Sequence, residues 1–418
     1  MNAKEIELAI AGLCFGYPYV MAWYWMVGAV LFQRLREARE PPFDRPPVLD
    51  TSPPISVLVP CYNEAGQLHE TMNALDRVSY PDFEIIAIND GSTDGTAVQL
   101  DQLLQHHPRL RVLHLASNQG KSTALNVGAL AARHELLVCI DGDTLIDPAA
   151  LTWFARRFQT DPMLGALTGN PRIRNRTSIV GRLQVGEFSG IVGLIKRAQS
   201  VYGVLFTVSG AICAFRKRAL HAAGWWSPHA ITDDVDISWR LQMAGWRIAF
   251  EPKALAWILT PETMRGFWRQ RLRWSEGGSM VAIGSVGALF RRGGLRMWPV
   301  WLNWLVSIVW GYSVIAMMVV WALHGLPLGQ LLSLEGFGFV PGQAGMILAA
   351  HYLLQAAVAG LIDRKYERGV VGALFWVVWY PLVFWSLQAA TAVVGLPRAL
   401  FRRRRLGRWT SPDRGFRQ

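Results

Sequence analysis

Disulfide scaffolds and structural zinc sites are the first classes this sequence excludes. Its 418 residues hold four cysteines, Cys14, Cys61, Cys139 and Cys213, standing singly. They show neither disulfide nor metal-ligand spacing. With Cys61 and Cys139 inside or beside expected core strands, they read as reduced, buried thiols of a cytosolic domain. Charge is also scarce, at 17% Asp, Glu, Lys and Arg, and residues 8–33, 297–323, 336–362 and 369–397 contain none of these four. Such runs argue against a soluble enzyme, because about 20 apolar residues suffice to cross a bilayer's hydrocarbon. No nucleic-acid-binding motif accompanies the net charge of +12. The basic residues instead crowd at 34–39, 291–296 and 398–408, beside apolar runs, as membrane flanks do.

The remaining residues divide the chain. Residues 1–35 form an expected N-terminal transmembrane helix; no small-residue cleavage site follows, which favours a retained anchor. Arg34, Arg36 and Arg39 assign its C-terminal end to the cytoplasm. Residues 36–53, with Pro41, Pro42, Pro46 and Pro47, read as a stiff linker. Over 54–262 short apolar strands (55–59, 84–88, 111–115, 136–140) alternate with helical stretches (64–77, 94–106, 121–133). This predicts an α/β domain with a mostly parallel sheet, helices on both faces, and ligands at the carboxyl ends of the strands. Residues 263–296 read as interfacial helices, 297–397 as membrane segments and 398–418 as a basic tail. Three crossings after a cytoplasmic domain would leave residues 402–405 outside, against the positive-inside tendency. Segment 369–397, bent at Pro381, is therefore the candidate for a re-entrant or interfacial piece, and Pro327 and Pro341 bound the other spans. The Gly-rich stretch 181–200, with Lys196 and Arg197, reads as amphipathic and lying along the membrane face.

The chemistry-bearing residues follow strand ends. The first strand leads into Pro60, Tyr62 and Glu64, and the second into Asp90-Gly91 and Asp94-Gly95. A carboxylate there can accept hydrogen bonds from a nucleoside; an Asx-turn and a helix N-cap are the plain alternative, which suits Asp94. Asn118-Gln119-Gly120-Lys121-Ser122-Thr123 lacks the earlier glycine of a P-loop, but Lys121 opens a helix where a diphosphate could sit. Asp141-Gly142-Asp143 follows an apolar strand and can present two carboxylates to Mg²⁺ or Mn²⁺; a surface Asp-Gly turn is the alternative. Asp233, Asp234 and Asp236 compete for the role of general base at a helix start, or simply favour the helix dipole. Ile237 and Leu241 would face the core from that helix. Gln270-Arg271-Leu272-Arg273-Trp274 supplies an aromatic face for a sugar and guanidinium forks for phosphate, or anchors an interfacial helix. The runs Val208-Ser209-Gly210-Ala211 and Gly169-Asn170-Pro171-Arg172 read as turns at strand ends.

Asp90, the Asp141/Asp143 pair, Asp234 and Gln270-Arg271-Leu272-Arg273-Trp274, with residues 235–269 between the last two, resemble the D, D×D, D, Q-x-x-R-W signature of membrane-bound processive family-2 glycosyltransferases. Residues 168–174, 231–240, 270–278 and 409–415 resemble in particular the poly-β-1,6-N-acetyl-D-glucosamine (GlcNAc) synthases of bacterial biofilms, and the likeness spans roughly residues 50–415. It implies a cytoplasmic GT-A-type domain inserted between transmembrane helices of the bacterial inner membrane. It also implies processive, inverting polymerisation of UDP-GlcNAc, with export of the growing polysaccharide.

By the same likeness Asp234 is the base, Asp143 a direct ligand of Mg²⁺ or Mn²⁺, and Asp141 a ribose or water-mediated metal contact. Pro60, Tyr62, Glu64, Asp90, Lys121, Asp141 and Arg273 would bind the donor. Ser209, Gly210, Asp233, Gln270 and Trp274 would bind the acceptor, with Arg271 and Arg273 on the diphosphate. Further implied are a small membrane accessory subunit and activation by cyclic di-GMP. The chain departs from the pattern in carrying Asp233 where Glu is usual and one N-terminal hydrophobic segment where some relatives have two. A hyaluronan- or chitin-type synthase would share the chemistry. A cellulose product is disfavoured because residues 398–418 are too few for a cyclic-di-GMP-binding barrel. A transporter should carry intramembrane charges, where these segments show only His324 and His351. A non-catalytic scaffold would have no reason to keep Asp143, Asp234 and Trp274 in register.

Overall fold

A computed structural model describes residues 3–324, 342–367, 369–377 and 385–402. Helix α1 (Ala3–Phe32) precedes a π-helical turn, Gln33–Glu37, and the linker. The elements of the α/β domain then run β1 (Ile55–Cys61), α2 (Leu68–Asp76), β2 (Phe83–Asn89), α3 (Thr96–Leu103), β3 (Leu110–His114), α4 (Lys121–Ala131) and β4 (Leu136–Ile140). They continue with β5 (Leu145–Ile146), α5 (Ala150–Thr160), β6 (Leu164–Ile173), α6 (Ile179–Phe188), α7 (Lys196–Tyr202), β7 (Ile212–Arg216), α8 (Lys217–Ala222), α9 (Asp233–Met243) and β8 (Arg247–Ile258). Helices α10 (Met264–Gly284), α11 (Val286–Leu289), α12 (Trp298–His324), α13 (Gln343–Asp363), α14 (Leu374–Val377) and α15 (Ser386–Phe401) follow.

The eight strands form one sheet in the order β3-β2-β1-β4-β7-β6-β8-β5. Strands β3, β2, β1 and β4 pair in parallel, as continuous apolar runs without polar alternation require when both faces are covered. Strand β7 runs antiparallel to its neighbours β4 and β6. One core lies between the sheet and α2, α3 and α5, around Trp153, Phe154 and Ile85. A second lies under α4, α8 and α9, where Ile237 and Leu241 are fully buried. Each such side chain contributes roughly 1.5–3 kcal/mol by leaving water.

Segments 168–174 and 181–200 differ from the sequence expectation. Residues 169–172 are not a turn but the interior of β6, where a register shift against β8 between Thr168 and Asn170 accommodates Pro171. Stretch 181–200 is not a surface amphipath. It runs as α6, a π-helical Ser189–Ile195 and α7, and both Lys196 and Arg197 are buried.

Arg197 enters a knot of buried charge. It pairs with Glu37 and with Asp363 at 2.8 Å each, while Arg172 meets Asp363 at 2.8 Å. Glu367 closes on Arg176 and stands 3.7 Å from Arg172, and Tyr366 donates to Glu37. Burial opposes the charge on Glu37, but Arg197 and Lys365 hold its carboxyl down to about 2. The knot joins the foot of α1, strand β6, helix α7 and the end of α13. Nearby, α1 crosses α7 closely enough that a methyl group at Gly28 would lie 2.6 Å from the Ala198 Cβ.

Among the described residues two helices are long and apolar enough to cross a membrane by length and composition, Leu295–Val320 and Gly345–Asp363. Of segment 369–397, the described parts include a 3-10 turn (Val370–Ala373), α14 and most of α15. Its Pro381, like Pro327, Pro341 and residues 403–418, lies outside the described residues. Helix α12 packs on α9 and α10 through Trp304 and Ile308, and on α1 and α15 through Trp310 and Val314.

Candidate active site

The ends of β1 and β2 build a clamp. Asn63 N–H donates to the Ser92 hydroxyl (3.0 Å), and Asp94 accepts from the backbone N–H groups of Ala65 (3.2 Å) and Thr96 (3.0 Å). Asp94 thus ties down the first turn of α3, whose N-cap position is held by Gly95. Asp90, expected on the donor, is fully buried and gives one oxygen to the Gln119 N–H and the other to the Gly120 N–H, each at 2.8 Å. Burial pushes its carboxyl up, and those two bonds pull it back. It holds the loop in which Gly120, at φ 90°, precedes Lys121 at the start of α4. Gly91 (φ 64°) abuts the backbone of Ser117 so closely that no side chain fits.

Pro60 and Glu64 stand behind the β4 turn. A methyl group at Gly142 would lie 2.9 Å from Glu64 Cγ and 3.3 Å from the Pro60 carbonyl oxygen, which explains the glycine between the two aspartates. Tyr62 is half-buried beside them. Asp141 and Asp143 open into a cavity of about 1060 Å³. Lys121 pairs with Asp141 and donates to the Gly210 carbonyl (3.2 Å). Burial opposes its charge, but Asp141, Asp233 and Asp234 together raise its pKa, so it stays an ammonium.

Helix α9 begins on the same cavity. Asp236 is spent on Arg240, its (i, i+4) partner at 2.6 Å, which leaves Asp233 and Asp234 facing the space. Asp234 accepts from the Val235 N–H (2.9 Å). Burial and then Asp233 raise its pKa, while Lys121 and Arg273 lower it. A methyl group at Gly210 would stand 3.4 Å from the Lys121 ammonium and 3.6 Å from an Asp234 oxygen, so the 208–211 loop passes between them. Its Val208 N–H donates to Ser238 of α9 (2.9 Å), and its Ser209 N–H to Thr168 of β6 (2.9 Å).

Thr263 caps α10 by accepting from the Gly266 N–H (3.1 Å), which aims Gln270, Arg273 and Trp274 at the cavity from one helix face. Arg271 does not join them. About 100° around the helix, it is buried against Glu187 (2.7 Å), with its guanidinium 4.1 Å from the Trp274 ring centre and 4.6 Å from that of Phe267. It braces Trp274 instead of reaching a diphosphate. Burial pushes the Glu187 carboxyl up to about 7 against the pull of Arg271.

Sequence reasoning missed part of the wall. Lys196 and Gln199 of α7, Asn303 and Ser307 of α12, Gln388 of α15 and Arg402 line the cavity, which thus extends from the aspartates to α12 and α15. Asn303 and Ser307 carried a usable signal, a polar pair four residues apart in a charge-free run. Lys196 carried none.

Among the described residues no three or more His, Cys, Asp or Glu side chains form a metal cage. Two carboxylates on one turn nevertheless fit a hard divalent cation, which commonly takes its other ligands from water and substrate phosphates.

The family model for "Glycosyltransferase like family 2" matches residues 53–277. A poly-beta-1,6-N-acetyl-D-glucosamine synthase of Staphylococcus epidermidis is 35% identical over 404 residues, covering 96% of this chain and 97% of its own length. One from Staphylococcus aureus (strain MSSA476) is 36% identical over 401 residues, with coverages of 96% and 97%. Among solved structures, the mannosyltransferase PcManGT from Pyrobaculum calidifontis, in complex with GDP-Man and Mn²⁺, superposes with a TM-score of 0.63. It is 19% identical and covers 95% of this chain and 98% of its own, which establishes the GT-A-like fold.

Proposed function

The chain belongs to the family-2-like glycosyltransferases, and from that membership we propose that it polymerises N-acetylglucosamine from UDP-GlcNAc into poly-β-1,6-linked polysaccharide. One observation carries the reading. The aspartate pair, a lysine for the diphosphate, a half-buried carboxylate on a neighbouring helix and a tryptophan face share a single cavity.

In the reaction the acceptor's 6-hydroxyl oxygen attacks C1 of the donor sugar from the face opposite UDP. The new C–O bond forms as the C1–O bond to the diphosphate breaks, and the hydroxyl proton passes to Asp234. Lys121 and Arg273 neutralise charge gathering on the departing UDP, and Trp274 stacks on the acceptor ring. A divalent cation, held by Asp143 and supported by Asp141, would add further stabilisation of that leaving group.

The proposal extends to processivity and export. A wall that continues to Asn303, Ser307 and Gln388 supports passage of the chain between the helices of a bacterial inner membrane, with the catalytic domain cytoplasmic. An accessory membrane subunit and cyclic di-GMP complete the proposal, on the family likeness alone. Membranes containing the protein, given labelled UDP-GlcNAc with Mg²⁺, Mn²⁺ or chelator, test it. Cation-dependent polymer that a β-1,6-GlcNAc hydrolase degrades and chitinase does not is the expected result. No incorporation, or a chitinase-sensitive product, refutes it.

A further inference from the structure

Lys196 opens α7 on the cavity wall, is 6% exposed, and has no carboxylate within ion-pair distance among the described residues. The other cations of this region do better. Half-buried Lys121 has Asp141, and the fully buried arginines are paired too, Arg271 with Glu187 and Arg172 and Arg197 with Asp363. Lys196 donates once, to the Thr168 hydroxyl at 2.9 Å. That oxygen already accepts from the Ser209 N–H at 2.9 Å. Its neighbour Arg197 turns into the charge knot, whereas Lys196 turns to the cavity, where its ammonium has two further protons to give.

A buried ammonium with one neutral partner is costly, and methionine would fill the same volume without that cost. The group is strained in the free protein: burial pushes it down to about 8, against the pull of Asp234. Its position is informative too. Through Thr168 it sits behind the 208–211 loop, whose Gly210 borders Asp234. The nearby charge it senses is Asp234, on the acceptor side, not the Asp141/Asp143 turn that Lys121 serves.

We propose that Lys196 binds the acceptor, donating its two remaining N–H groups to hydroxyl or acetamido oxygens of the growing chain's terminal sugar and so turning the attacking hydroxyl toward Asp234. The inference rests on the polymerase reading above. A polar neighbour, Gln199, lies one helical turn away on the same wall.

The test measures initial rates with short β-1,6-linked GlcNAc oligomers as acceptor at saturating UDP-GlcNAc, then with UDP-GlcNAc varied at saturating acceptor. Lys196→Met raises the acceptor KM about 10- to 100-fold, the range of one charged hydrogen bond. It leaves the donor KM within about threefold. Lys196→Arg recovers part of the loss. Thermal midpoint in detergent stays level or rises in Lys196→Met, because an uncompensated buried charge has gone. If Lys196→Met fails to accumulate, the same comparison made with Lys196→Gln decides. An acceptor KM within twofold of wild type overturns the proposal. So do donor and acceptor constants that shift together with a lowered midpoint, the mark of a purely structural lysine. Wild-type protein that makes no polymer from UDP-GlcNAc would sink the polymerase reading itself, whereas an active wild type with an indifferent Lys196→Met sinks only this one.

Discussion

Asparagine at position 234 separates the chemistry of the proposed base from its architecture. The side chain keeps its size and its Oδ1, so the hydrogen bond from the Val235 N–H at 2.9 Å survives and α9 keeps its start. What disappears is the ability to take a proton. Positioned general bases contribute about 10²- to 10⁴-fold, or about 2.7–5.4 kcal/mol of barrier at 1.36 kcal/mol per decade. Asp234→Asn should lose turnover by that factor while UDP binds within about threefold of wild type, since Asp141, Asp143 and Lys121 come from other elements. Asp234→Glu offers an independent reading. It restores a carboxylate but carries it about one bond length further into the space beside Gly210, and a misplacement of that order can cost about 10²-fold. Coupled UDP release reports turnover, and calorimetry reports UDP affinity. Asp234→Asn with more than about a tenth of wild-type turnover would remove Asp234 as base and leave Asp233 as the carboxylate facing the cavity.

Three further outcomes are expected. Asp234 works as the carboxylate, so activity falls as pH drops through its raised pKa; Asp233→Asn removes one raising influence and should move the acidic limb of kcat/KM to lower pH, and an unmoved limb would uncouple the two. Chelator should weaken UDP binding in wild type, whereas Asp143→Ala should bind UDP weakly with or without Mn²⁺; equal cation enhancement in both proteins would move the metal elsewhere. Asp363→Asn leaves the buried Arg172 and Arg197 short of a carboxylate. Breaking such pairs costs about 3–5 kcal/mol, which at roughly 2 °C per kcal/mol lowers the thermal midpoint by about 6–10 °C. A loss under about 2 °C would mean that the arginines find other partners.

Legibility in the sequence tracked the range of the interactions. Strands β1, β2, β3 and β4 announce themselves because continuous apolar runs have few other fates. The start of α4 at Lys121 and the inward face of α9 follow from local rules too. Strand β6 was hidden because Gly169-Asn170-Pro171 has the composition of a turn. Its irregular register and the Asn170 side chain's bond to the Pro252 carbonyl (2.8 Å) let that composition stay in a strand. Lys196 and Arg197 looked like surface charges because the acids that bury Arg197 lie 160 and 166 residues away. Arg271 was grouped with its motif, although helical periodicity alone turns it away from Gln270, Arg273 and Trp274. The carboxylates of the cavity were readable as a set. Asp90 was the exception, because spending both its oxygens on backbone N–H groups depends on a loop thirty residues on.

The charge knot has a consequence for how the enzyme comes into being and how it can be handled. A fragment trimmed to residues 54–296 would retain Arg172 and Arg197 but neither Glu37 nor Asp363. Two guanidiniums would then lie in its floor without these counterions, inviting water into that end of the sheet. On the ribosome the same debt stands open until the helix that ends in Asp363 has emerged, long after the last strand is made. The sugar-transferring half is therefore not an independent module: its assembly finishes only when a late apolar helix arrives.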